Sequence, residues 1–205
     1  FNSVSEMMVS WRPHAVSVCT PDNLHYPVIE LLMQSANVPA VIFAEKPVCS
    51  TSAELAQLRQ LESAGKSIVI VNHSRRFDDA HRRLRDLLDT GDLGPLAKVH
   101  VDYYGGWRHL GVHIVDVLQF LFSATIEPGR VSYVCESKYS DDPTLNVEGR
   151  IGTASLRIEG FPENNYQILD INLMCERGQI KVTDFGKRIE VFRKTVNAEQ
   201  ENVLL

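Results

Sequence analysis

Short apolar runs alternate with helix-like segments between residue 14 and about residue 90, and this alternation limits the folds that the chain can adopt. The apolar runs are 14–20, 39–44 and 67–72. Turn-forming residues follow these runs, and apolar residues then recur three or four positions apart, as on one face of a helix. Near-continuous apolar strands joined by helices are typical of a parallel sheet with crossover helices. The pattern predicts three parallel strands, with helices over 24–35, 51–65 and 77–88.

The pattern changes after Gly94. A strand over 97–104 and a helix over 109–122 come first, and strand-like runs follow, several of which alternate apolar and polar residues. Such alternation is typical of an antiparallel sheet with one face in solvent. The predicted runs are 131–139, 145–151, 153–158, 166–175, 179–183 and 189–193. We therefore predict an α/β chain in two parts: a parallel sheet in residues 1–94, then an α+β domain with a mostly antiparallel open sheet in residues 95–205.

The composition narrows the class of protein. Of the 205 residues, 44% are apolar and 23% are charged, as in ordinary globular proteins. A formal net charge of −5 argues against a nucleic-acid partner. The four cysteines lie far apart, which favours reduced thiols over a disulfide framework. No apolar run approaches the ~20 residues of a membrane-spanning helix, and no secretory signal is visible after Phe1. We expect a cytoplasmic protein without a membrane partner.

Glycine is absent from the first 64 residues, and Gly65 is the first of 12 glycines. A dinucleotide-binding or Walker loop needs glycines so that its backbone can approach phosphate. The first 64 residues therefore contain no phosphate-binding turn. If a nucleotide-binding fold begins here, we expect its opening strand and helix to be missing.

The segment Glu45-Lys46-Pro47 directly follows the second predicted strand. Ligands of open α/β sheets bind beyond the carboxyl ends of the strands. A lysine in this place can hold an anionic group or exchange a proton. An alternative of about equal weight is that Lys46 is a solvated loop lysine without a specific function.

His109, His113 and Asp116 fall on one face of the predicted helix, because they are spaced at i, i+4 and i+7. One interpretation is an acid–base cluster, in which a neutral imidazole moves an alcohol proton. A second is a metal site of a hydrolase, although Leu110 stands where the glutamate of a zinc-binding H-E-x-x-H motif would be. The third interpretation is that these side chains form a half-buried polar face of the helix without a catalytic or metal-binding role.

Two arginines and a tryptophan near these motifs are candidates for contact with a substrate. Arg76 lies close to the end of the third predicted strand, and Trp107 and Arg108 follow a Gly105-Gly106 pair that leads into the histidine helix. A substrate-contacting loop has this composition, and so does an ordinary connector. The other arginines of 75–85 interleave with aspartates, which indicates a solvent-exposed face with salt bridges.

Five motifs occur in one order along the chain. They are CTPDNLH at 19–25, AEKPV at 44–48, N-x-x-R-R-F at 72–77, Leu93-Gly94, and G-x-H-x-x-D at 111–116. Together they resemble the Gfo/Idh/MocA oxidoreductases, the family of glucose–fructose oxidoreductase and inositol dehydrogenase. The resemblance covers about residues 10–185.

The resemblance implies an NAD(P)-dependent dehydrogenase of a sugar or cyclitol, with a Rossmann domain followed by an α/β domain whose open sheet often builds dimers or tetramers. Lys46 and His113 match the family's catalytic lysine and acid–base histidine. The cofactor cleft would be lined by Thr20, Pro21, Asn23, His25, Glu45, Lys46 and Pro47. The substrate would contact Arg76, Trp107, Arg108 and Asp116. We predict no bound metal. Some members of the family are nucleotide- or sugar-sensing regulators without turnover, which is the alternative function.

Two departures from the family pattern limit this transfer. The family usually has aspartate four residues before the histidine, whereas this chain has His109, so we count His109 among the catalytic candidates. The glycine-loop half of the Rossmann domain has no counterpart, so we predict a partial Rossmann-like sheet in an incomplete chain. We expect this chain alone to bind NAD(P) weakly or not at all. We also expect a partner chain or residues 1–11 to cover the open edge of the first strand.

Overall fold

The computed structural model describes residues 1–65, 67–139 and 141–205, which fold into two compact units, Phe1–Ser74 and Arg75–Leu205. Each unit has its own hydrophobic core. Among the described residues, none of the helices combines the length and the apolar character needed to span a bilayer.

The first unit contains the three predicted parallel strands. They are β1 (Ala15–Val18), β2 (Val41–Ala44) and β3 (Ile68–Val71), in the order β1-β2-β3 and in register. Its helices are α1 (Val4–Trp11), α2 (Asp22–Gln34) and α3 (Ser52–Ser63). Helix α3 begins with a capping box, in which the Thr51 hydroxyl accepts from the Glu54 amide and the Glu54 carboxylate accepts from the Thr51 amide.

One face of this sheet is packed and the other is partly open. Ile42 and Ala44 are fully buried in the core of the first unit, where α2 packs on β1 and β2. On β3, by contrast, Ile68 is 60% exposed and Ile70 is 38% exposed. The apolar runs therefore predicted the strands correctly, and the exposed side chains of β3 leave part of one sheet face open.

Helix α1 is an element that the sequence pattern did not predict. Its residue Met8 is buried in the core of the first unit, and the helix packs against α2. Residues 4–11 thus form a helix and not a further strand of this sheet, and the cover of the β1 edge stays a prediction.

The second unit is an eight-stranded sheet with two helices on one face. Its strands are β4 (Leu96–Tyr104), β5 (Ile126–Cys135), β6 (Thr144–Ile151), β7 (Ala154–Phe161), β8 (Leu169–Cys175), β9 (Gly178–Thr183), β10 (Arg188–Val196) and β11 (Asn202–Leu204). Their order is β11-β10-β9-β8-β4-β7-β6-β5. Neighbouring strands of this sheet pair in antiparallel orientation, apart from the parallel pair β4–β7. The mostly antiparallel sheet is thus as predicted.

The helices of this unit are α4 (Asp79–Asp89) and α5 (Val112–Phe122), which pack against each other. Leu84 of α4 is 3% exposed and shares a core with Leu118 of α5 and Leu173 of β8. This packing places α4 in the second unit, so the division between Ser74 and Arg75 comes earlier than the boundary predicted near residue 94.

Candidate active site

The loops at the carboxyl ends of the three parallel strands are joined by hydrogen bonds within the first unit. The amide of Glu45 donates to the Val18 carbonyl at 3.0 Å, and the amide of Asn72 donates to the Ala44 carbonyl at 2.7 Å. The side-chain amide of Asn72 also donates to Glu45 Oε1 at 2.7 Å. These bonds connect the ends of β1, β2 and β3, the edge at which open α/β sheets bind ligands.

The side chain of His25 joins two of these loops, because each of its ring nitrogens contacts a backbone carbonyl. It is 1% exposed, with Nδ1 2.6 Å from the Pro47 carbonyl oxygen and Nε2 2.7 Å from the Thr20 carbonyl oxygen. A carbonyl only accepts hydrogen bonds, so a ring that is protonated on both nitrogens satisfies both contacts. His25 was predicted to line the cofactor cleft, and in the structure it joins the loops after β1 and β2 through the backbone of Thr20 and Pro47.

Lys46 lies between two anchored residues. Glu45 is bonded to Val18 of β1 and to Asn72, which directly follows β3, and the Pro47 carbonyl is bonded to His25. Lys46 itself is half-buried. The sequence places a lysine at the carboxyl end of β2, and the surrounding bonds fix the backbone that carries it.

The remaining cofactor candidates occupy the start of α2. Thr20 is half-buried, and its Oγ1 is inaccessible to solvent and has no hydrogen-bond partner among the described residues. Pro21 precedes the first turn of α2 and accepts from the Leu24 amide, and Asn23 is exposed in that turn. A buried hydroxyl without a partner is an uncommon feature that a bound polar group would explain.

Replacing His25 with phenylalanine is expected to lower the free energy of unfolding of the first unit by about 2–4 kcal/mol, because the part-buried carbonyls of Thr20 and Pro47 lose their partner while side-chain volume is kept. Urea unfolding followed by circular dichroism measures the change. His14→Phe, at an exposed position, is the control and should change stability by less than about 0.5 kcal/mol. Equal stability of His25→Phe and wild type would contradict the bridging role.

The histidine segment of the second unit begins with a π-helical turn, Trp107–Gly111, and continues into α5. The Val112 amide donates to the Trp107 carbonyl, five residues earlier. Gly111 is required here because an added Cβ would lie 2.5 Å from the Trp107 ring. Single π turns inside helices are frequent at functional sites.

His109 in this turn is bonded to a residue that the sequence did not single out. Its Nδ1 lies 2.7 Å from Oδ2 of Asp142, which is 1% exposed. Its ring stacks on Tyr139 with a centroid distance of 3.8 Å and an interplanar angle of 8°. Asp142 and Tyr139 lie in the loop between β5 and β6, far from His109 in sequence. The Gly105-Gly106 pair was the available signal, since paired glycines can mark a close approach.

A charged pair lies near this histidine. Lys138 Nζ and Glu163 Oε1 are 2.8 Å apart, and Lys138 Nζ lies 5.0 Å from the centre of the Tyr139 ring. The hydrogen bond from Lys138 lowers the pKa of Glu163 below its usual value, and the charge of His109 contributes in the same direction. The same bond raises the pKa of Lys138.

Asp116 is held by Arg76 rather than open to solvent. It is 8% exposed, and its carboxylate accepts from Arg76 Nε at 2.8 and 3.0 Å and from Nη2 at 2.8 Å. Of the other predicted substrate residues, Arg108 is exposed, whereas Trp107 packs on the core and forms an edge contact with Tyr103. Arg76 and Asp116 thus form an internal ion pair that joins residue 76 to α5.

His113 is half-buried on α5, four residues after His109. Within the described ranges, the group of donor atoms close enough to share a metal ion is His100, Asp102 and Glu159. That group lies on β4 and β7, where Glu159 is bonded to His100 and Arg157. The metal-hydrolase interpretation of His109, His113 and Asp116 gains no support from the geometry.

Comparison with known proteins agrees with the predicted family. Residues 1–73 match the model of the GFO_IDH_MocA family, described as an oxidoreductase family with an NAD-binding Rossmann fold. The first unit therefore carries the likeness to the Gfo/Idh/MocA family. An inositol 2-dehydrogenase of Mycolicibacterium gilvum is 32% identical over 130 residues, which cover 55% of this chain and 35% of that protein. One of Salmonella typhimurium is 23% identical over 153 residues, covering 67% and 45%.

Solved structures show the same fold at low identity. The super-repressor mutant of Gal80p from Saccharomyces cerevisiae has a TM-score of 0.81 at 13% identity, covering all of this chain and 63% of that one. The WlbA dehydrogenase of Bordetella pertussis, solved with NADH and UDP-GlcNAcA, has a TM-score of 0.79 at 15% identity, covering 98% and 65%.

These likenesses confirm the predicted family and fold class, and the NAD-binding description of the family agrees with the predicted cofactor. The chain spans about half the length of the curated relatives that it matches.

Proposed function

We propose that the protein to which this chain belongs is an NAD(P)-dependent oxidoreductase that acts on a secondary alcohol of a sugar, sugar derivative or cyclitol. The observation that carries the proposal is the anchored lysine of the first unit. Lys46 lies two residues after β2, between Glu45 and Pro47. Glu45 is bonded to Val18 of β1 and to Asn72, which directly follows β3, and Pro47 is bonded to His25. Matches to inositol 2-dehydrogenases support the substrate class.

The residues of the first unit fit a nicotinamide cofactor. The unpartnered Thr20 hydroxyl and the joined loops lie at the carboxyl edge of the sheet, where such ligands bind. Residues 1–64 have no glycine, so a pyrophosphate-binding turn is not among them. A bound nicotinamide would supply the hydride acceptor. We propose that Thr20, Pro21, Asn23, Glu45, Lys46 and Pro47 line its site and that His25 holds that site in shape.

The proposed chemistry of the chain is proton transfer and charge stabilisation. His113 accepts the proton of the substrate hydroxyl, since a neutral imidazole is suited to this exchange near neutral pH. Lys46 stabilises the negative charge that develops on the alcohol oxygen. Arg108 is the exposed cation for substrate hydroxyl groups, while Arg76, Trp107 and Asp116 shape that site from within the second unit.

Reduction of NAD⁺ and NADP⁺ by the full-length protein tests the proposal. We expect the absorbance of reduced nicotinamide to appear with at least one member of a panel of inositols, aldoses and sugar nucleotides. Cofactor binding without turnover on any member would favour the non-catalytic regulator, because the Gal80p structures show that the fold also occurs in a transcriptional regulator.

We also propose the partners and the cellular location that the sequence predicts. They are a sugar-like substrate, a dimer or tetramer formed through the open sheet face, no nucleic-acid or membrane partner, and a cytoplasmic location.

A further inference from the structure

Asp142 is a buried carboxylate with three hydrogen-bond donors directed at it. Its Oδ1 accepts from the Arg108 amide at 2.5 Å, and its Oδ2 accepts from the His109 amide at 3.2 Å. Oδ2 also lies 2.7 Å from Nδ1 of the His109 ring. With 1% of its surface exposed, Asp142 depends on these partners, because a buried charge without partners is costly.

The backbone on both sides builds this contact. A Cβ on Gly106 would lie 1.9 Å from Asp142 Oδ2, so the carboxylate occupies space that any other residue at position 106 would fill. Next to it, the Thr144 hydroxyl donates to the Gly105 carbonyl at 2.9 Å, and the Trp107 amide donates to the Pro143 carbonyl at 3.0 Å. The segment 142–144 is thus fixed along 105–107 over its whole length.

The contacts at His109 go beyond those of a helix cap. A cap needs only the amide bonds, which Asp142 makes to Arg108 and His109. The third bond reaches the ring, and Tyr139 stacks on the ring face at 3.8 Å. Both the plane and the rotation of the imidazole are therefore fixed. The His109 side chain nevertheless remains 34% exposed, so solvent protons can reach it.

We propose that Asp142 is a positioning residue that holds His109 as a proton relay for the alcohol oxidation, an inference that rests on the proposed function. The carboxylate accepts the Nδ1 proton and so fixes the tautomer in which Nε2 exchanges protons. In oxidation, the carbinol C–H bond breaks and its hydride would be accepted by a bound NAD(P)⁺, while the hydroxyl O–H bond breaks and its proton passes to His113. From there it passes to Nε2 of His109, four residues earlier, and then to solvent. In reduction the proton follows the reverse path.

The first experiment measures positioning without activity. In protein labelled with ¹⁵N-histidine, the nitrogen shifts of neutral His109 should show a protonated Nδ1. Asp142→Asn should lose this single tautomer, because either orientation of the amide sets an N–H group against the amide of Arg108 or the donors of His109. Asp141→Asn, at the exposed neighbouring acid, is the matched control and should keep it. An unchanged tautomer in Asp142→Asn would overturn the positioning.

The second experiment measures the relay in the full-length protein. We expect kcat to fall by about 10–100-fold in His109→Ala and in Asp142→Asn, with KM within about threefold. Added imidazole should restore part of the kcat of His109→Ala, which a merely structural residue would not allow. A normal kcat in His109→Ala, or a loss that imidazole does not change, would overturn the relay. Absence of turnover in wild type would reject the proposed function and the relay with it, while the nitrogen shifts would still decide the positioning.

Discussion

Replacing Lys46 with methionine is expected to lower kcat of the full-length protein by about 10²–10⁴-fold, because the ammonium that stabilises the alkoxide is removed while the apolar stem is kept. The affinity for NAD(P) should change by less than about tenfold, since most of the binding of a dinucleotide comes from contacts elsewhere. Steady-state kinetics gives kcat, and calorimetric titration gives the cofactor affinity.

Lys187→Met is the control, because Lys187 is an exposed lysine of the second unit that is paired with Asp184 across 3.8 Å at the surface. It should leave kcat within about twofold of wild type, as exposed pairs contribute little. A Lys46→Met enzyme with kcat within about threefold of wild type would remove Lys46 from the chemistry. A loss of cofactor affinity as large as the loss of kcat would instead assign the lysine to binding.

The strands and most helices could be predicted because each carries its signal locally. The apolar runs that became β1, β2 and β3 are short and bounded by turn residues, and Thr51 and Glu54 mark the start of α3. Helix α1 was missed because its buried side, represented by Met8, is defined by packing on α2 rather than by a pattern of its own.

The boundary between the two units could not be predicted from local patterns, because it depends on which sheet α4 packs against. Phe77, Leu84 and Leu88 indicate a helix, but they do not say which sheet it packs on. The core of the second unit takes Leu84, and α4 contacts α5. The exposure of Ile68 and Ile70 had the same cause, since an apolar strand does not itself show whether both of its faces are covered.

The candidate site was predictable where it follows strand ends and unpredictable where it depends on contacts across loops. Lys46 could be chosen because residues after parallel strands meet at one edge of the sheet. The sequence has no acidic residue within four positions of His109, so no local pattern indicates a carboxylate partner for it. Asp142 supplies that carboxylate from a loop 33 residues away. Likewise, the contacts of His25 with the carbonyls of Pro47 and Thr20 could not be predicted from the sequence, because they depend on how two loops meet.

Replacing Gly106 with alanine is expected to lower the free energy of unfolding by about 3 kcal/mol or more, because overpacking is combined with the loss of bonds to a buried carboxylate. The new Cβ would lie 1.9 Å from Oδ2, 2.3 Å from Cγ and 2.8 Å from the backbone oxygen of Asp142. The backbone φ of −73° at Gly106 suits any residue, so the cost arises from the collision. Thermal unfolding should show a fall in Tm of roughly 6–12 °C.

Gly91→Ala separates collision from backbone strain. Gly91 has a φ of +73°, and a Cβ there would meet no atom within 4 Å. Its replacement should cost only about 1 kcal/mol. In the double variant Gly106→Ala/Asp142→Ala, the side-chain collision is removed. Its loss of stability should therefore be smaller than the sum of the two single losses, because the two residues compete for one space. Additive losses would show that Gly106 and Asp142 act independently, and a Gly106→Ala protein as stable as Gly91→Ala would contradict the close approach itself.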